Sequence, residues 1–184
     1  MNKFLTGMFL IVLCFSFASA QETKKENMTD YLQTGVQKTE MRKLDALIGK
    51  WTGDGWIVQG AAREEFTGTE NVQRKVDGLA LLVEGRFTDK KDSAKVIHET
   101  LAVLNYNPKT DIYDFKTYLA SGRSGSFTLA VKGETYEWGM DIPGNKILYI
   151  ITIKDGVWNE VGKFSRDDGK TWVQFFEMNL KKMS

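Results

Sequence analysis

The sequence predicts an all-β fold, an up-and-down antiparallel barrel of about ten strands with one short helix before it. Three observations lead there. From Trp51 onward the chain alternates in the manner of strands, at a period of two rather than 3.6. Turn signals interrupt it at roughly 8–12-residue spacing: Asp77-Gly78, Asn107-Pro108, Lys132-Gly133, Pro143-Gly144-Asn145, Asp155-Gly156 and Asp168-Gly169. No second domain is expected to cover the edges of an open sheet, and closure into a barrel removes those edges.

The elements follow in order. Residues Phe4 to Phe17 form an apolar run, and Ala18-Ser19-Ala20 supplies the small residues of a cleavage site before Gln21. This pattern predicts a signal peptide over 1–20 and an exported protein, periplasmic or extracellular. The run is short for a spanning helix, so no integral membrane segment is expected in the mature chain. Residues 21–37 are polar and weakly patterned and are expected to be a flexible leader, leaving 38–184 as the barrel domain. Met41, Leu44, Leu47 and Ile48 then recur at helical spacing and stop at Gly49, which predicts a short amphipathic helix. The expected strands are 51–59, 63–76, 79–88, 95–106, 112–120, 124–131, 135–142, 146–154, 157–165 and 171–180. On the second, Thr67, Thr69, Asn71, Gln73 and Lys75 share a polar face that should meet water. The opposite face carries Phe66, Gly68, Glu70, Val72, Arg74 and Val76, so Glu70 and Arg74 would need partners inside. The eighth strand is apolar on both faces, and its inward set stays open.

Composition narrows the chemistry. The 184-residue chain has 25 basic and 24 acidic residues, with no basic stripe of the kind nucleic-acid binding needs. Cys14 is the only cysteine and lies in the expected signal peptide. The mature chain therefore offers no disulfide, thiolate metal ligand or cysteine nucleophile. Its single histidine, His98, falls short of a zinc site. A Ser-His-Asp triad would need His98 as base, yet "SGRSGSF" at Ser121–Phe127 sits in a turn and is no nucleophile elbow. Neither a metal nor another cofactor is expected, and no catalytic residue is assigned.

Gly49-Lys50-Trp51, followed by Gly53 and Gly55, gives "GKWTGDGW", which resembles the Gly-x-Trp opening of lipocalins and related calycin barrels. Together with Gly78–Gly85, Leu104–Asn107 and the terminal "SRDDGKTW" at Ser165–Trp172, the chain resembles a bacterial lipocalin-like family of unknown function, from about Leu44 to Lys182. The resemblance implies that Trp51 plugs the closed end of the barrel. It also implies that a basic side chain of the last strand, Lys181 or Lys182, lies across the indole. Haem-binding relatives that share the opening use a histidine near the C-terminal end, and this sequence has none there. "SRDDGKTW" is also similar to the Asp box of sialidase-type propellers. A propeller needs a blade signature repeated several times, and one copy here predicts a well-capped hairpin.

The function these features favour is the binding of one small apolar or amphipathic molecule inside the barrel. Glu70, Arg74, His98, Tyr118 and Glu160 are the candidate polar groups and Trp138 the aromatic wall. The large aromatic content could instead fill the interior and leave a surface-acting envelope protein. A carboxylate-based hydrolase is a further alternative. Oligomeric state is not legible.

Overall fold

Ten antiparallel strands follow one another around a closed barrel in chain order, and the last pairs with the first. The computed structural model describes residues 34–183; the expected signal peptide and most of the expected leader lie outside them. The strands are β1 (Gly49–Gln59), β2 (Ala62–Lys75), β3 (Ala80–Asp89), β4 (Val96–Asn107), β5 (Ile112–Leu119), β6 (Ser124–Lys132), β7 (Thr135–Ile142), β8 (Asn145–Lys154), β9 (Val157–Ser165) and β10 (Val173–Lys182). Closure sets Trp51 opposite Lys182 and Ile57 opposite Phe176, so neither terminal strand is left as a pairing edge. The hairpins marked by Lys132-Gly133, Pro143-Gly144-Asn145 and Asp155-Gly156 are tight. Asp155 and Gly156, both at positive φ (52° and 74°), form the two-residue link between β8 and β9 that matches the twist of its strands.

Alternation decides the wall of β2 as expected. Phe66, Gly68, Glu70 and Val72 are buried, while Thr67 and Thr69 are exposed. On β8 the open question is settled by pairing: Tyr149 and Ile151 lie opposite the inward residues Trp138 and Tyr136. Leu148 and Ile150 are consequently on the outer wall, where they remain half-buried.

The helix differs from its expected bounds. An α-helix, α1, spans 34–42, and after a short turn a 3-10 turn covers Asp45–Leu47. Helix is therefore already present at 34–37, within the residues read as leader and ahead of the apolar pattern. The periodicity could not show the change of helix type. Residues three apart fall on one side of both an α-helix and a 3-10 helix, and Met41, Leu44 and Leu47 are all buried across the change.

These residues close one end of the barrel. Trp51, 1% exposed, donates its indole N–H to the Leu47 carbonyl at 2.9 Å and meets Trp158 edge-on at 5.7 Å. The Lys182 ammonium stands 5.2 Å from the Trp51 ring, within cation–π range. Lys182 rather than Lys181 takes this place because it pairs with Trp51 on the inner face, whereas Lys181 pairs with Thr52. The cover is fastened from three strands: Gln37 donates to the Tyr106 carbonyl at 2.8 Å, Tyr113 to the Glu40 carboxylate at 2.7 Å and Tyr136 to the Lys43 carbonyl at 3.1 Å.

The Asp-box segment is a capped connection between β9 and β10. Asp167 accepts from the Thr171 amide at 2.8 Å, the Thr171 hydroxyl at 2.7 Å and the Ser165 hydroxyl at 2.8 Å. Ser165, nearly fully buried, in turn accepts from the Gly169 amide at 2.7 Å. Hydrogen bonds, first those from Thr171, hold the Asp167 carboxyl down at about 2. Its folded value lies below the unfolded one, so its contribution is present above about pH 4 and is lost as pH falls toward 2. Asp167→Ala is expected to speed hydrogen exchange at the Thr171 and Gly169 amides while leaving β2–β5 unchanged. Unaltered exchange at those two amides would refute the capping role.

Candidate functional site

Above the closed end, the inner wall changes from aliphatic to aromatic. Trp138 on β7 and Tyr149 on β8 stack at 4.3 Å with their planes 8° apart. Phe115 on β5 meets Trp138 edge-on at 5.0 Å, and Phe127 on β6 lies 5.4 Å from the same indole. Across the barrel, Phe66 packs on Phe87 at 5.3 Å and on Phe176 at 5.7 Å. Phe115, Phe127, Trp138, Tyr149 and Phe176 are only half-buried although they point inward. Residues at the closed end, such as Leu44, Leu81 and Leu180, are fully buried. An inward side chain reaches water through a barrel mouth, so these rings line the end opposite α1, referred to below as the aromatic cup.

Two carboxylates lie on this inner wall. Glu70 on β2 is 6% exposed and Glu160 on β9 is 8% exposed. Glu160 accepts a hydrogen bond from the Trp158 indole at 3.3 Å. Glu70 reaches over Gly85 of β3: a Cβ at that position would stand 2.7 Å from Glu70 Oε1 and 2.9 Å from Thr100 Cγ2. Glycine is thus what lets the carboxylate lie against β3. Oε2 of Glu70 is buried with no hydrogen-bond partner among the described residues.

Burial disfavours the charged form of both acids. Glu70 is pushed up to about 8 by burial and then by the negative charge of Glu160. Glu160 is pushed up to about 7 by burial, against the downward pull of the Trp158 indole and then that of Trp138. Burial, followed by the Glu160 charge, also raises the Tyr149 hydroxyl well above its ordinary range. The two acids and Tyr149 are therefore one coupled group in a poorly solvated space.

The structure brings Glu70, Glu160 and Trp138 to this inner wall. His98 stands exposed at the rim, 5.6 Å from Phe87; partial desolvation, then the Arg123 charge, lowers its pKa. Arg74 and Tyr118 do not join them. Arg74 shares the inner face of β2 but sits at the closed end, paired with Asp45. Tyr118 is 51% exposed on the outer wall, beside Leu101 and Ser124. Phe115, Phe127, Tyr149 and Phe176 belong to the cup and were not singled out from sequence. On β8 the doubly apolar pattern hid Tyr149, the one aromatic residue in a run of isoleucines and leucine. Chemically, the cup offers aromatic faces and two acceptors whose protonation changes near neutral pH.

Among solved structures, the chain is similar to the crystal structure of Rv2717c from M. tuberculosis, with 16% identity, a TM-score of 0.54, and coverage of 77% of this chain and 98% of that one. That likeness shows the fold. No family model matches the chain, and no curated protein matches it.

Proposed function

We propose that the chain is an exported, lipocalin-like barrel that binds one small apolar or amphipathic molecule in its aromatic cup. The observation that carries this reading is the set of inward-facing aromatic side chains, led by Trp138 and Tyr149, that keep contact with solvent. Pockets for small molecules combine such walls with a few placed polar groups, here Glu70, Glu160 and His98. Export rests on the apolar run and the Ala18-Ser19-Ala20 site, and the lipocalin-like assignment on the Gly-x-Trp opening and its plug.

The uncharged dye N-phenyl-1-naphthylamine is expected to bind one-to-one with enhanced fluorescence, quenching tryptophan emission. Trp138→Ala should weaken it by roughly tenfold, the scale of a lost aromatic contact. Failure of this and every other apolar probe to bind would overturn the reading in favour of a filled barrel acting through its surface.

A further inference from the structure

We infer that the carboxylates of the cup form a site for an organic ammonium, in which a protonated amine donates to Glu70 and Glu160 while its flat apolar body lies along the aromatic wall around Trp138. This deepens the proposed function and rests on the cup being a binding site.

Three observations point to a cation. First, a buried acceptor without a partner carries a desolvation cost that a donor from a guest would remove, and Glu70 Oε2 is such an acceptor. Second, Glu70 and Glu160 share the inner wall with less than a tenth of either exposed, so an anionic guest would set a further negative charge beside two buried acids. A positive charge offsets both carboxylates at once. Third, the acids lie beside an aromatic cluster of Trp138, Tyr149 and Phe115, and aromatic rings attract cations.

Ammonium fits better than the other cation types. Its three N–H donors diverge, which suits acceptors carried on two separate strands, β2 and β9. A guanidinium fork matches the two oxygens of one carboxylate instead. Among the described residues no three His, Cys, Asp or Glu side chains gather to hold a metal ion, and the remaining wall is aromatic. The neighbours of the pair are Trp51 on β1, directly opposite Glu70, Thr100 on β4, Trp138 on β7, Tyr149 on β8 and Trp158 on β9, with Lys182 of β10 over Trp51. Of these, Tyr149 has its hydroxyl raised by burial and then by the Glu160 charge.

The test compares three probes of one shape at pH 7.5 by calorimetry and dye displacement: 1-naphthylmethylamine, 1-naphthalenemethanol and 1-naphthoate. The amine is expected to bind at least about tenfold tighter than the alcohol, the difference one charge-assisted hydrogen bond supplies, and the naphthoate weakest. In the Glu70→Gln, Glu160→Gln double variant the amine's preference should fall to within about twofold of the alcohol, with alcohol affinity kept. Equal binding of amine and alcohol by the wild type overturns the inference, as does a preference that survives in the double variant. If the alcohol and the naphthylamine dye also fail to bind, it is the cup itself that is refuted. Should the double variant not fold, the wild type suffices. Amine binding measured in two buffers of different ionisation enthalpy should release close to one proton, since the pair holds protons at neutral pH, and the alcohol none; no release with the amine overturns the proposal.

Discussion

Replacing both Glu70 and Glu160 by glutamine raises the thermal midpoint at pH 8 and leaves it nearly unchanged at pH 5. Both carboxyls have folded pKa values raised above the unfolded value, to about 8 and about 7. The native state then holds protons that the unfolded chain has released. The stability these groups provide is fully present below about pH 4.5 and is lost as pH rises through the folded values. At pH 5 the buried wild-type acids are neutral, and glutamine is close in shape and charge. At pH 8 the wild type must expose, leave protonated or repel two buried charges, and the variant has none. The expected gain is on the order of 2–4 kcal/mol once water penetration is allowed for, or roughly 5–15 °C for a domain of this size. His98, whose pKa is lowered, acts in the opposite sense below about pH 6.5, but it is common to both proteins and cancels in their difference. Parallel pH–stability curves for wild type and variant would show that the two acids are solvated in the folded protein, contrary to their burial.

Trp51→Ala is expected to cost about 3–5 kcal/mol in denaturant unfolding, the range for large aromatic truncations in cores. The indole is enclosed by Leu47, Trp158 and Lys182, elements fixed by strand pairing that cannot collapse into the space. The substitution also leaves the Leu47 carbonyl without its buried donor and Lys182 without its aromatic partner. Trp51→Phe should recover part of the loss by restoring ring volume, though not the N–H. Because Trp51 belongs to the closed end, binding of the naphthylamine dye should persist in any folded fraction of either variant. A Trp51→Ala protein that unfolds like its parent but loses the dye would reverse the assignment and make Trp51 part of the guest site.

How far each feature could be read in advance follows from the range of the interactions that set it. The hairpins were legible because a turn depends on two to four adjacent residues, as at Asp155-Gly156 with both residues at positive φ. The inner face of β2 was legible because one of its two faces is wholly polar, which leaves a single arrangement that buries Phe66 and Val72. Tyr149 was not, because β8 is apolar on both faces and only its pairing with Trp138 of β7 chooses between them. Tyr118 and Arg74 lie away from the aromatic wall for different reasons. Tyr118 is amphipathic and tolerates the outer wall, and Arg74 has the right face but the wrong height along the barrel axis.

Sequence alone therefore determined the class of the fold, the approximate strand count and the inward face that carries Glu70, consequences of local period and turn chemistry, while the plug at Trp51 came from the Gly-x-Trp resemblance. Only the tertiary structure decided that Glu70 and Glu160, ninety residues apart in the chain, act on each other, that Lys182 rather than Lys181 lies over Trp51, and that the helix begins before its apolar stripe. Those outcomes depend on the stagger between strands around a closed barrel. Stagger is set by all ten pairings together, and no single strand encodes it.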